Sequence, residues 1–178
     1  MRCFIAIDIP NTIKEELEKI QKFIINDIKA KFVEKENIHL TLKFLGEIND
    51  YKVNFVIEEL KKLKIKKFEA YLNGVGFFPN ENFIRVFWIG LEPKEIIEKI
   101  HEDIDNALKK YFKKDKNFES HITLARIKSI KNKEDFIKKI KNLEIKKTKF
   151  LVEEIKLKKS ILTKDGPIYN DIYIFKLV

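Results

Sequence analysis

The chain has 178 residues, room for one compact unit or for two small lobes sharing a core, and its 44% apolar residues with 15 Phe are enough to fill that core. Charged residues make up 37% and mix both signs, 37 Lys and Arg against 28 Asp and Glu, which excludes a disordered polyelectrolyte. No apolar run approaches the ~20 residues of a membrane span, and Asp8 follows Met1 too closely for a secretory leader, so a soluble cytoplasmic protein with no membrane partner is expected. Cys3 is the only cysteine, which excludes an intramolecular disulfide and a thiolate metal cluster. The net charge of +9 rests on 34 Lys and only Arg2, Arg85 and Arg126; it suits a nucleic-acid partner and a merely lysine-rich surface about equally well.

Alternation predicts a first strand over Cys3 to Ile9. A helix follows through about Asn26, opened by Pro10-Asn11-Thr12 with Glu15 at capping-box spacing and striped by Ile13, Leu17, Ile20 and Ile24. Phe32 to Ile48 reads as strand around Ile38 to Leu45 and stops at Gly46, after which Val53, Ile57, Leu60 and Leu63 mark a second helix. Phe68 to Phe77 and Ile84 to Leu91 form a strand pair about a Pro79-Asn80 turn. Pro93 starts a third helix running to Phe112, with Ile97, Ile100, Ile104, Leu108 and Phe112 as its stripe. His121 to Ala125 is again strand-like, Asn132 caps a short fourth helix carrying Phe136, Ile137 and Ile140, and Glu144 to Leu162 and Ile168 to Leu177 close the chain about Lys164-Asp165-Gly166-Pro167. The expected fold class is α+β: a bilobal, pseudo-twofold duplication with mostly antiparallel sheets lining a central cleft and helices outside. Residues 1–178 form a single domain of two lobes.

The duplication rests on one pattern. His39-Leu40-Thr41-Leu42 and His121-Ile122-Thr123-Leu124 repeat 82 positions apart, each in a strand context and one in each half. In a strand, residues i and i+2 share a face, so His39 joins Thr41 and His121 joins Thr123, with the aliphatic residues behind them. Across a pseudo-twofold cleft the polar faces deliver two imidazoles and two hydroxyls to one volume. With pKa values near the ordinary ~6.5, one imidazole is the neutral base and the other the protonated acid of an in-line displacement at phosphorus. A 2′,3′-cyclic phosphate suits this pair, since its strained ring needs only an activated nucleophile and a proton for the leaving oxygen, and no metal. Either tripeptide alone is common and reads more simply as the top of a strand; two copies that use two of the three histidines favour function. His101, beside the apolar stripe of the third helix with Glu98 and Asp105 at helical spacing, reads as structural.

Glu36-Asn37-Ile38-His39-Leu40-Thr41-Leu42-Lys43-Phe44-Leu45-Gly46-Glu47 and Ser120-His121-Ile122-Thr123-Leu124-Ala125-Arg126 resemble the two signature motifs of the two-histidine phosphoesterases. The resemblance is to the bacterial and archaeal branch of RNA 2′,3′-cyclic phosphodiesterases and 2′-5′ RNA ligases. It extends over Arg2 to Ile7, Gly76 to Pro79, Arg85 to Gly90 and Gly166 to Tyr169. It implies His39 as general acid and His121 as general base, Thr41, Thr123 and Arg126 on the phosphate, Phe44 stacking on an RNA base, and neither metal nor cofactor. The implied partner is RNA ending in a 2′,3′-cyclic phosphate, tRNA fragments among the candidates, bound by a monomer; a small cyclic nucleotide, or a noncatalytic RNA-end-binding module, are the alternatives.

Simple alternation places Phe44 and Arg126, each five positions after its histidine, on the faces opposite the imidazoles. A bulge must re-aim them if they are to act; otherwise Phe44 is core and Arg126 a surface ion pair. Arg85 shares parity with Phe87 and Ile89 and reads as half-buried, and the lysine pairs, Lys158-Lys159 among them, read as solvated faces.

Overall fold

The computed structural model describes residues 1–178. In chain order the elements are β1 (Arg2–Asp8), α1 (Asn11–Ile24), β2 (Ile28–Phe32), a 3-10 turn (Lys35–Asn37), β3 (His39–Glu47), α2 (Asp50–Lys61), β4 (Phe68–Asn80), β5 (Phe83–Glu92), α3 (Lys94–Leu108), β6 (His121–Ile130), α4 (Lys133–Lys141), β7 (Phe150–Val152), β8 (Glu154–Thr163) and β9 (Gly166–Lys176). They make a four-stranded sheet, β3-β1-β8-β9, and a five-stranded sheet, β2-β6-β5-β4-β7. Every pairing is antiparallel. The two His-x-Thr strands belong to different sheets, and one continuous apolar core reaches from Ile5 and Leu40 in the first to Phe87 and Ile122 in the second. No helix is long and apolar enough to cross a membrane.

The helices form where an apolar stripe can be buried. On α1, Ile13, Leu17, Ile20 and Ile24 are all buried, as are Ile97, Ile100, Ile104 and Leu108 on α3. The capping box expected at Thr12 and Glu15 is not made: Pro10 precedes the helix and no side chain caps it. A cap contributes about 0.5–2 kcal/mol, whereas burying each large aliphatic side chain contributes about 1.5–3 kcal/mol, so the stripe decides the helix. The Asn49 and Asn132 side chains do cap α2 and α4, accepting from the amides of Lys52 and Asp135 at 3.0 Å each.

Several boundaries differ from the sequence reading. The third helix stops at Leu108 rather than Phe112, and the turn between β4 and β5 lies at Glu81-Asn82, just past Pro79-Asn80. The expected strand from Phe32 to Ile48 is broken by the 3-10 turn, and an unforeseen β2 precedes it. Glu144 to Lys149 is not strand; β7 then pairs with β4 in the second sheet before β8 joins β1 in the first. Arg85 is exposed and lies 4.5 Å over the Phe83 ring, because a register shift in the β4–β5 pair breaks its parity with Phe87.

Candidate active site

Both His-x-Thr strands carry the same irregularity two to three residues after the histidine. Along β1, Ala6 pairs with Thr41 but the next residue back, Ile5, pairs with Lys43, leaving Leu42 as the extra residue of a bulge. Along β5, Trp88 pairs with Thr123 and Phe87 with Ala125, leaving Leu124 extra in the same way. A bulge resets the inward and outward alternation. Leu40, Leu42, Lys43 and Leu45 are therefore buried while Phe44 emerges, 69% exposed, on the side of His39 and Thr41. The second strand repeats the pattern: Ile122, Leu124, Ala125 and Ile127 are buried and Arg126 is exposed. The two bulges supply the re-aiming that simple alternation denied, and Phe44 is not a core residue.

Each imidazole is oriented through the carbonyl two residues before it. His39 Nδ1 donates to the Asn37 carbonyl and His121 Nδ1 to the Glu119 carbonyl, both at 2.7 Å. That fixes the tautomer, because a carbonyl can only accept, and leaves each Nε2 as the lone-pair nitrogen of the neutral ring. His39 Nε2 accepts from the Thr41 hydroxyl at 2.8 Å. The His39 ring stands 5.0 Å from Phe4 and meets Tyr169 edge-on at 5.3 Å; Asn37 holds the strand carrying Tyr169 in place by donating to the Pro167 carbonyl at 2.9 Å. His121 meets Phe78 edge-on at 4.8 Å and lies 5.8 Å from Trp88. Trp88 in turn covers Gly76, where a Cβ would come within 2.0 Å of the indole, so no larger residue fits there.

β3 and β6 approach one another, and between them opens a cleft of about 500 Å³ lined by Thr41 and Phe44 from one strand and by His121 from the other, with Phe78 and the Asp115–Glu119 segment completing the wall. His39 does not itself line this cleft; it is held to the wall by its bond to Thr41. Thr123 and Arg126 share the His121 face of β6, and the Arg126 charge falls on both His121 and Tyr169, the ring that packs against His39. Of the residues the sequence singles out, Thr41, Phe44 and His121 line the opening, His39 is bonded to Thr41, and Thr123 and Arg126 lie on the His121 face of β6 without lining it. Tyr169, Phe78 and Trp88 join them as aromatic supports to which the sequence reading gave no role.

The imidazoles are not near their ordinary pKa. Burial pushes His39 down to about 4, with Lys158 adding to the effect and the Asn37 carbonyl opposing it. Burial lowers His121 as well, against the Glu119 carbonyl and carboxylate. Lys158 is not a solvated lysine: it is buried beside Lys156, and their ammonium groups bridge Asp8 and Asp171 at 2.7–3.0 Å. Although burial opposes it, bonding to Lys156 and Lys158 holds the Asp8 carboxyl below the usual carboxylate range. Asp8 is also the residue that pairs with His39 across the β1–β3 ladder.

His101, buried as expected, does more than fill space. Its Nδ1 donates to the carbonyl of Leu42, the extra residue of the β3 bulge, at 2.7 Å, and its ring stacks on Phe118 at 4.1 Å. Its Nε2 faces Asp105 at 3.4 Å and Asp115 at 3.8 Å. These three side chains converge closely enough to suggest a metal site. The position among them is taken by the ammonium of Lys43, which bonds to Asp105, lies 3.3 Å from Asp115 and donates to the Lys113 carbonyl at 3.0 Å. This buried network fastens the bulge that turns Phe44 outward to the segment lining the cleft. Removing one partner of a buried ion pair leaves the other charge uncompensated and costs about 3–5 kcal/mol. Lys43→Met is therefore expected to lower unfolding stability by that order in urea titration, whereas a loss under about 1 kcal/mol would show the pair to be dispensable.

Two antiparallel sheets, each with one copy of a bulged His-x-Thr strand, are the architecture of a two-histidine phosphoesterase. A family model described as LigT like phosphoesterase matches residues 7–88 and again 89–169, one match in each half, and the chain belongs to this family. Among its relatives, an RNA 2′,3′-cyclic phosphodiesterase of Methanocaldococcus jannaschii is 43% identical over 97% of this chain and 98% of that protein, and one of Archaeoglobus fulgidus is 36% identical over 99% and 100%. Among solved structures, TT0787 of Thermus thermophilus superposes with a TM-score of 0.82 at 27% identity, covering 99% of this chain and 98% of that one. Escherichia coli LigT complexed with 3′-AMP shares the fold with a TM-score of 0.79 at 22% identity, covering 99% and 97%.

Proposed function

We propose that this protein hydrolyses RNA 2′,3′-cyclic phosphate termini to 2′-phosphates without a metal. Chief support comes from the duplicated bulged strand, which carries two imidazoles with fixed tautomers, His121 lining the cleft and His39 bonded to Thr41 of its wall, each with Nε2 as the lone-pair nitrogen. Water attacks the phosphorus as one Nε2 takes its proton; the bond from phosphorus to O3′ breaks as the other Nε2 gives a proton to the leaving oxygen. The family resemblance makes His121 the base and His39 the acid. Thr41, Thr123 and Arg126 hold the non-bridging oxygens, and Phe44 stacks on the terminal base. Joining of RNA ends through a 2′-5′ linkage is the same displacement with a 5′-hydroxyl in place of water, and needs no ATP. The names of the archaeal relatives support RNA as the substrate. Residues 1–178 act as one unit, a cytoplasmic monomer of two lobes, each supplying one histidine.

The direct test incubates the purified protein in EDTA with an RNA ending in a 2′,3′-cyclic phosphate and identifies the product. A 2′-phosphate supports the reading; a 3′-phosphate, or no reaction, overturns it.

Burial lowers both histidines in the free protein, one of them to about 4, so the two titrations that bound kcat/KM belong below the ordinary ~6.5. A depressed imidazole stays neutral until the pH falls through its folded pKa. Activity is therefore expected to be bell-shaped with its maximum on the acid side of neutrality, the acidic limb marking the loss of the base and the alkaline limb the loss of the acid's proton. A profile still rising above pH ~7.5 would contradict the burial argument. The same bell arises whichever histidine is the acid, since kcat/KM reports the free-enzyme pair.

A further inference from the structure

One cluster of exposed and half-buried aromatic and basic side chains lies outside the catalytic cleft yet is joined to its wall. The Asn49 cap fixes the first turn of α2 and so presents Tyr51 and Lys52, with Phe55 one turn further on. Beyond the end of α3, the amides of Tyr111 and Phe112 both donate to the Leu108 carbonyl, at 3.1 and 3.0 Å, which holds the following turn against α2. The Tyr51 and Tyr111 hydroxyls meet at 3.1 Å with their rings 6.0 Å apart, and Tyr111 packs edge-on against Phe55 at 4.7 Å. Tyr51 is 64% exposed. Lys110 sits 5.1 Å over Tyr111, and Lys52 lies 5.8 Å from Phe112. Lys109, Lys113, Lys114 and Lys116 are exposed along the same turn, and none of these six lysines is in an ion pair.

We propose that the Tyr51–Tyr111 surface is a second binding site for RNA, taking the single-stranded segment that leads into the cleft; this rests on the function proposed above. Continuity with the cleft carries the first half of the argument. The Lys43 ammonium ties the Lys113 carbonyl and the Asp115 carboxylate to the strand that presents Phe44, and Asp115 and Lys116 themselves line the cleft. Only Phe112, Lys113 and Lys114 separate Tyr111 from Asp115, a span of at most ~14 Å. Chemistry carries the second half. The exposed Tyr51 ring and the half-buried Tyr111 ring, flanked by ammonium groups outside any ion pair, offer what a flexible polyanion with stacking bases requires, because every base has a face to stack and every phosphate takes a cation. The lysines bear one sign only, which disfavours a protein partner of mixed surface charge. A cyclic mononucleotide held at the histidines has nothing that reaches this surface, so the site separates RNA chains from small cyclic nucleotides as substrates.

The experiment measures two quantities on wild type and on a Tyr51→Ala/Tyr111→Ala double variant. The first is the Kd of a fluorescein-labelled 12-nucleotide single-stranded RNA ending in a 3′-phosphate, by anisotropy; the second is hydrolysis of a 2′,3′-cyclic mononucleotide. Loss of the stacking rings is expected to raise the RNA Kd about tenfold, and the ratio of kcat/KM for a cyclic-phosphate 12-mer to that for the mononucleotide should fall by a similar factor. Tyr51→Phe/Tyr111→Phe, which keeps the rings, is expected to retain wild-type RNA affinity, and Lys110→Gln/Lys114→Gln to flatten the dependence of log Kd on log salt by up to about 1.4. An unchanged RNA Kd and unchanged ratio in the double alanine variant overturn the proposal and leave the surface to a protein partner. Absence of hydrolysis of the cyclic-phosphate 12-mer by the wild type instead overturns the reading of the catalytic site, and the anisotropy arm still decides the patch.

Discussion

Replacing either His39 or His121 with Ala is expected to lower turnover at least ~10²-fold, the minimum usually lost with a general acid or base. Neither substitution should unfold the chain. Each ring is half-buried, and its loss leaves one carbonyl, that of Asn37 or Glu119, without its donor, at a cost of about 1–3 kcal/mol. Circular dichroism melts alongside the kinetics separate the two effects. Thr41→Ala and Thr123→Ala should lose less, because each hydroxyl supplies one hydrogen bond to a charge spread over several donors. Near-normal turnover in a folded His121→Ala protein would show that His121 is not the general base and overturn the two-histidine mechanism.

The histidine pair was legible in the sequence because duplication is visible without coordinates: the same tripeptide, the same aliphatic spacing and the same half-chain separation. The bulges were legible only as a requirement. Alternation sets Phe44 and Arg126 on the wrong faces, and nothing in Leu42 or Leu124 announces that it will stand unpaired in its ladder. What stabilises the first bulge is remote in sequence, since the Leu42 carbonyl is satisfied by His101, 59 residues away. Lys43 follows the same logic. A lysine in a motif reads as solvated, and only the folded chain brings Asp105 and Asp115 to its ammonium. The failed capping box at Thr12, the missed β2 and the overextended strand from Glu144 have a common cause: local pattern was outvoted by tertiary pairing and burial. Local reading succeeded where one element buries a full stripe, as in α1 and α3.

A substrate whose 3′ leaving oxygen is replaced by sulfur is expected to restore most of the ~10²-fold loss in His39→Ala and little of that in His121→Ala. A thiol near pKa ~8.5 departs as thiolate with little need of a proton, whereas an alkoxide must be protonated as it leaves. The general acid is then spared and the general base is not. Family resemblance gives His39 the acid's role, while burial holds His39 down to about 4 and so favours its neutral form before substrate binds. The two are reconciled if the negative phosphate, on entering beside Thr41, replaces the lost solvation of the imidazolium and lets His39 carry a proton into the reaction. On that account the titration of His39 followed by NMR moves upward when inorganic phosphate is added. Rescue of His121→Ala by the sulfur substrate, with His39→Ala left impaired, would reverse the roles and make the more deeply buried imidazole the base.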